Sequence, residues 1–231
     1  MLFQINMEAG AWMIRLNAPA RVHFCAERSS QMNNAAYKLE GVGIGTKEKS
    51  EVLKTEADYY NMPDDVRAEL IDGEIIIMES PRATHQALLA ELVYYIKEYI
   101  CNIRKNKGNC MVLPDFDTKL STADATIVRP DISVICDPAK ITERRCEGAP
   151  DWIIEIVSPG NPRHDYLKKL ELYQRVGVRE YWIVDPMKRA VIVYHLEDSA
   201  FDMTAYTFHD KIRVGIYDDF VIDFSAVDES I

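Results

Sequence analysis

Hydrophobic and polar positions divide the chain into two unequal parts. Over residues 1–50 apolar residues stand singly among Asn, Ser and Ala at no steady period, and the stretch closes on the Gly-rich run LEGVGIGTKEKSE. This pattern predicts an extension, disordered or loosely packed, ahead of one domain over residues 51–231. From Thr55 the pattern tightens. ADYYNMP reads as a short helix. RAELIDGEIIIMESP reads as two strands joined at Asp72-Gly73, a pair that tolerates the positive φ a two-residue hairpin needs. From His85 to about Lys105, Leu89, Leu92, Val93, Ile96, Ile100 and Ile103 recur at helical spacing. The strands MVLPDFDTKL, TIVRPDISVIC and PDWIIEIVS follow, the last two apolar enough to be central. After the turn PGNPR, DYLKKLELYQRV is a second helix stopped at Gly177. EYWIVDP and AVIVYHL pair as strands ahead of a strand-rich tail. The order predicts an α/β (α+β) fold with a mixed sheet, extra β-hairpins and two principal helices, without internal repeats.

Composition narrows the class. The 231 residues are 48% hydrophobic and 28% charged, which supports a packed core and excludes a low-complexity chain. No run approaches the roughly 18 apolar residues of a membrane span, so no membrane role is expected. Lys and Arg number 27 against 37 Asp and Glu, a net charge of −10 that excludes a polycationic nucleic-acid binder but not a local basic groove. Residues 1–50 hold six Lys and Arg against four Glu, a charge of +2, which leaves −12 for the rest. The five cysteines, at 25, 101, 110, 136 and 146, form no CxxC pair. They predict reduced, mostly buried thiols in a cytoplasmic protein rather than a disulfide framework or zinc site. The first residues carry no basic run ahead of an unbroken apolar one, so no secretory leader is expected.

Two carboxylates draw the chemistry. Asp131 follows Pro130 and opens the strand ISVIC; Glu155 sits between Ile153, Ile154, Ile156 and Val157. A carboxylate inside an apolar strand is costly unless a cation or hydrogen bonds compensate. Carboxylates at the ends of adjacent strands are a natural site for Mg²⁺; structural ion pairs with Lys or Arg are the alternative. In DYLKKLELY, Asp165, Lys169 and Tyr173 are spaced i, i+4, i+8 along one helix face. Lys169 is there either a helix salt-bridge partner or an amine brought towards Glu155 by packing.

The segments RAELIDGEIIIMESP, HQALLAEL, RPDISVI and WIIEIVSPGNPRHDYLKKLELYQRVGVREYWIVDP, in this order, resemble a bacterial family described as putative restriction endonucleases. That family belongs to the PD-(D/E)XK nuclease superfamily and is numerous in cyanobacteria. The resemblance covers roughly residues 54–225. It implies a restriction-endonuclease-like fold, a mixed central sheet flanked by helices, and DNA phosphodiester hydrolysis assisted by Mg²⁺, with Mn²⁺ as a substitute. By position, Pro130-Asp131 is the PD element, Glu155 is the acidic residue of the second element, and the Ile156 carbonyl is a further metal ligand. Two residues after Glu155 the superfamily pattern calls for Lys, and this chain has Val157. In the resembling family the lysine is displaced onto the next helix, where Lys169 matches and Lys168 competes.

The ELIDG-like motif of the family makes Glu69 a third candidate carboxylate, against a solvated hairpin charge. His85 either approaches a phosphate or packs at the helix start. Pro114-Asp115 is a second Pro-Asp pair, followed by a more polar strand, and fits the PD element less well than Pro130-Asp131. Arg163, Lys168, Arg175 and Arg179, with Lys97, Arg104, Lys105 and Lys107, are the candidate phosphate contacts. Tyr181 and Trp182 are expected to pack in the core rather than stack on bases. The resemblance also implies a homodimer, since superfamily members that cut both strands often work in pairs. The alternatives are a catalytically silent nuclease-fold binding or regulatory module, which Val157 favours, and a metal-dependent hydrolase of a small phosphoester.

Overall fold

A computed structural model describes residues 22–23, 53–63, 65–103, 109–120, 125–158, 163–197 and 202–231. Their elements in order are β1 (Val22–His23), α1 (Glu56–Tyr60), β2 (Ala68–Ile71), β3 (Glu74–Ile77), α2 (Ala83–Glu98), β4 (Met111–Pro114), β5 (Thr118–Lys119), β6 (Ile127–Val128) and β7 (Ile132–Ile135). Then come β8 (Cys146–Glu147), β9 (Trp152–Ile156), α3 (Arg163–Val176), β10 (Glu180–Asp185), β11 (Ala190–His195), β12 (Asp202–Thr207), β13 (Lys211–Arg213), β14 (Val221–Asp223) and α4 (Phe224–Ser230). The expected loose extension falls almost wholly outside the described residues; only β1 belongs to it, paired with β12.

The main sheet has seven strands in the order β1-β12-β11-β10-β9-β7-β4. It is mixed: β9 and β10 run parallel, joined by α3, while the other neighbours are antiparallel. A smaller sheet, β3-β2-β6-β5-β8, stands beside it, and β13 and β14 form a separate pair. Alternation along β9 decides where the chemistry falls. Trp152, Ile154 and Ile156 join the core under α2 and α4, with Leu88, Leu92, Ile96 and Phe224. Ile153 points the other way, into the core under α3, with Tyr173 and Tyr181. Glu155 shares the parity of Ile153 and therefore faces α3.

Both strands containing a Pro-Asp pair are broken in two, whereas the sequence pattern reads each as continuous. MVLPDFDTKL divides into β4 in the main sheet and β5 in the small one, and TIVRPDISVIC into β6 and β7 likewise. Proline cannot donate to a ladder, so each Pro-Asp step is where the chain leaves one sheet for the other. The two crossings lie together: Pro114 pairs with Ile132, and the Asp115 amide donates to the Asp131 carbonyl at 3.1 Å. Asp115 takes φ of 49° there, and its carboxylate, exposed, meets Arg67.

The predicted hairpin forms as expected, with φ of 51° at Asp72 and 80° at Gly73. A Cβ on Gly73 would stand 2.9 Å from Leu53 Cβ. Gly73→Ala is therefore expected to cost about 1 kcal/mol or more, read as a lower urea midpoint. The long helix also ends differently: α2 stops at Glu98 and continues as one π turn, Tyr99–Ile103.

The cysteine expectation needs correction. Cys110 and Cys136 are joined as a disulfide. The register explains the meeting: Met111 lies opposite Ile135, so the next pair outward brings Cys110 to Cys136 at a sequence separation of 26, which the spacing conceals. Cys146 is a buried thiol whose pKa burial pushes up to about 11, and Cys101 is exposed. Cys25 lies outside the described residues. Among the described residues no helix is long and apolar enough to cross a membrane.

Candidate active site

Three elements, α3, β2 and β9, meet at one amine. Lys169, on the inner face of α3, is 2% exposed and donates to Glu69 Oε1 at 2.9 Å and to Glu155 Oε1 at 3.0 Å. Glu69 comes from β2, where it alternates with Ala68 and Leu70, which pack under α1. The same Glu69 oxygen accepts the backbone N–H of Arg129 at 2.9 Å. Tyr173, one turn after Lys169, donates its hydroxyl to Glu155 Oε1 at 2.9 Å. Asp131 stands at the start of β7, where Oδ2 accepts the Ile156 backbone N–H at 2.7 Å and Oδ1 lies 3.2 Å from His85 Nε2. His85 Nδ1 is buried without a hydrogen-bond partner among the described residues.

This geometry answers several open readings. Glu69 is a buried member of the cluster and not a solvated hairpin charge. Lys169 pairs with carboxylates from two other elements, beyond anything a helix salt bridge provides. Arg82 holds the position before α2, so His85 does not cap that helix; it reaches Asp131 instead. Lys168 points outwards and is exposed. Lys168→Met is accordingly expected to leave the rate of any metal-dependent cleavage at saturating DNA within about twofold of the parent, its loss falling on DNA affinity instead.

Burial dominates the electrostatics. The Glu155 carboxyl is pushed up to about 7, first by desolvation, while Asp131 and Glu69 raise it further and Lys169 opposes them. Desolvation and the Glu155 charge hold the Tyr173 hydroxyl well above the usual range, so it stays a donor. The bonds from Lys169 and Tyr173 fall on Glu155 Oε1, leaving Oε2 outside them. Since the Val157 N–H donates to Val184 in β10, strand alternation turns the Ile156 N–H and C=O together towards the Asp131 side.

Two carboxylates and a carbonyl on adjacent strand ends are hard oxygen donors, which suits Mg²⁺ or Mn²⁺. No group of three or more His, Cys, Asp or Glu among the described residues is arranged to hold a metal ion by itself. A cation such as Mg²⁺ ordinarily takes one or two carboxylates and completes its shell with water and substrate phosphate.

Comparison with known proteins gives the family and the fold. Residues 56–216 match the model of the Uma2 family, described as putative restriction endonucleases. The chain belongs to this family. An uncharacterized protein of Synechocystis sp. is 25% identical over 132 residues, 56% of this chain and 66% of the relative, just under two thirds of its length. The crystal structure of a putative nuclease from Anabaena variabilis shares the fold, with a TM-score of 0.62 at 20% identity over 76% of this chain and 97% of that one. The restriction-endonuclease-like fold expected from the sequence is thus the observed one.

In this Uma2 chain the remaining candidates scatter. Arg175 is exposed and only 3.9 Å from Asp72, and Lys97 is also exposed. Arg179 is held by Glu197 and Asp151. Tyr181 and Trp182 are buried in the two cores, as packing predicts. The side chains of Arg163 and Asp165, and residues Arg104, Lys105 and Lys107, lie outside the described residues. Sequence reading passes over Arg129, Asp117 and Tyr59. Arg129 Nε donates to Asp117 Oδ1 at 2.7 Å, and the Tyr59 hydroxyl donates to the same oxygen at 3.1 Å and to the Ala68 carbonyl at 3.0 Å. This network stands behind Glu69. The place of Arg129 directly before Pro130-Asp131 was the only mark of it in the sequence.

Proposed function

We propose that this Uma2 chain is a metal-dependent endonuclease that hydrolyses phosphodiester bonds in DNA. The observation that carries the reading is the buried convergence of Glu155 and Glu69 on Lys169, with the Asp131 charge acting on Glu155. Asp131, Glu155 and the Ile156 carbonyl would hold Mg²⁺ or Mn²⁺, which when bound supplies charge neutralisation at the phosphate and acidifies a coordinated water. Lys169 positions the attacking water, and Glu69 and Glu155 fix that ammonium. Tyr173 holds Glu155, and His85 with the Ile156 N–H holds Asp131. Attack of the water oxygen on phosphorus, in line with the leaving oxygen, forms one P–O bond and breaks the other.

Lys168, Arg175 and Arg163 are the proposed contacts to flanking phosphates. With a net charge of −10 the affinity for DNA is expected to be modest and to fall steeply with salt. A homodimer supplies the second site needed to cut both strands. Val157 at the superfamily lysine position favours a second reading, a nuclease-fold binding module without turnover; the amine of Lys169 beside Glu155 supports turnover over it. Incubation with plasmid and single-stranded DNA at low salt, with and without Mg²⁺ or Mn²⁺, tests the proposal. Cleavage only with metal supports it. Metal binding by calorimetry without cleavage transfers support to the binding module or to a small phosphoester substrate.

A further inference from the structure

A polar cavity of about 300 Å³ lies on the far side of the Glu69 strand from Lys169, between α1 and the two Pro-Asp crossings. Tyr60, Phe116, Asp115, Asp117, Arg129 and Arg144 line it. Its walls carry complementary chemistry. The Arg144 guanidinium lies 3.6 Å above the Tyr60 ring, a flat cationic and aromatic stack of the kind that holds a base. Arg129 binds Asp117 through Nε, and its two terminal nitrogens take no part in that bond. Tyr59 and Arg129 share Asp117 Oδ1, and Arg67 takes Asp115 Oδ1, so each carboxylate has an oxygen outside these bonds. The cavity therefore sets paired donors beside carboxylate acceptors next to a stacking surface.

We propose that this cavity binds a guanine base. Guanine offers two neighbouring acceptors, N7 and O6, the pair that an arginine fork meets, together with N–H donors on its other edges for Asp115 and Asp117. Thymine has no two neighbouring acceptors and adenine has a donor in place of O6, while cytosine pairs N3 with O2 but has only its N4 amine as donor, against N1–H and N2–H₂ of guanine. At about 300 Å³ the cavity is at the small end of ligand sites, the size for one base and not for a strand.

Its placement ties the base to the carboxylate cluster. Arg129 lines the cavity while its own N–H holds Glu69, and Ala68 lines it next to Glu69 in the chain. Asp115 lines it while its N–H meets the Asp131 carbonyl. A base seated there is held against the backbone that orients two of the three carboxylates. It comes either from an unstacked nucleotide of the substrate strand or from a free guanine nucleotide; the link to cleavage, though not the binding, rests on the nuclease reading.

Equilibrium binding of dGMP, dAMP, dCMP and TMP to the full chain in EDTA is the test. The expected result is dGMP binding at least about tenfold tighter than dAMP or TMP, the discrimination of one bidentate contact, and tighter than dCMP. Arg144→Ala, an exposed position, should weaken dGMP while leaving the melting temperature unchanged. Equal affinity for all four nucleotides, no binding, or dGMP binding indifferent to Arg144→Ala overturns the proposal. Mapping cut positions in single-stranded oligonucleotides then separates the sources. Cuts at a fixed offset from G assign the base to the strand, and G-independent cutting with dGMP bound assigns it to a free nucleotide. If no cleavage occurs at all, the binding arm still decides the guanine site, and only the nuclease reading fails.

Discussion

Replacing Lys169 with methionine is expected to lower metal-dependent cleavage by about 10²–10⁴-fold, the range for a group that handles the attacking water, while leaving divalent-metal binding in place. Methionine keeps most of the stem's volume in the α3 packing and removes only the ammonium. Glu69 and Glu155 would then face each other without the cation that both now contact. Breaking a buried pair by removing one partner ordinarily costs about 3–5 kcal/mol. Here Glu155 can take up a proton, since burial and its acidic neighbours already hold it near 7. The loss of stability should therefore be large at pH 8 and smaller at pH 5. Thermal unfolding in EDTA at the two pH values, beside cleavage and calorimetry, checks all three parts. Wild-type turnover in Lys169→Met would remove this amine from the mechanism.

Glu155→Gln has the second large effect, and its two consequences run in opposite directions. Cleavage is lost with the carboxylate proposed to hold the metal, while the metal-free protein becomes more stable at alkaline pH. The folded carboxyl has its pKa raised from 4.5 to about 7, so the fold prefers the protonated form. That preference is fully present below the unfolded value and is lost as pH rises through the folded one. A shift of this size corresponds to about 3 kcal/mol at most. Glutamine mimics the neutral acid and can still accept from Lys169 and Tyr173. The stability of wild type minus variant should therefore fall between about pH 4.5 and 7 and be flat on either side. Adding Mg²⁺ at pH 8 should restore the wild type and do nothing for the variant. A difference that is independent of pH would mean that Glu155 is ionised throughout and compensated by its partners.

Much of the frame was legible because its signals are local. The Asp72-Gly73 turn needs two residues of positive φ, and the apolar runs of β9 and β10 allow no exposed face. Asp131, Glu155 and Lys169 came from motif order and one displaced lysine, and they stand together in the fold. What could not be read depends on contacts distant in sequence. A proline within an apolar run marks a break, but whether the chain bends or changes sheets depends on a partner, here the other Pro-Asp step. Cys110 and Cys136 meet only through the β4–β7 register. Glu69 has the same neighbours in sequence whether it is solvated or buried, and its role is decided by α3, which packs across it 100 residues later. Asp117, Arg129 and Tyr59 form a network whose members look like ordinary loop and helix residues until the two sheets are set side by side.

The central claim, that the carboxylates around Lys169 are a metal-dependent active site for DNA, is tested most directly by one comparison. Wild type and Glu155→Gln are incubated with supercoiled plasmid at low salt in Mg²⁺, in Mn²⁺ and in EDTA, and the nicked and linear products are quantified. The account predicts nicking by the wild type with either metal, none in EDTA, and none by the variant under any condition. Equal nicking by Glu155→Gln would contradict it, because the phosphodiester would then be cut at a place other than this cluster.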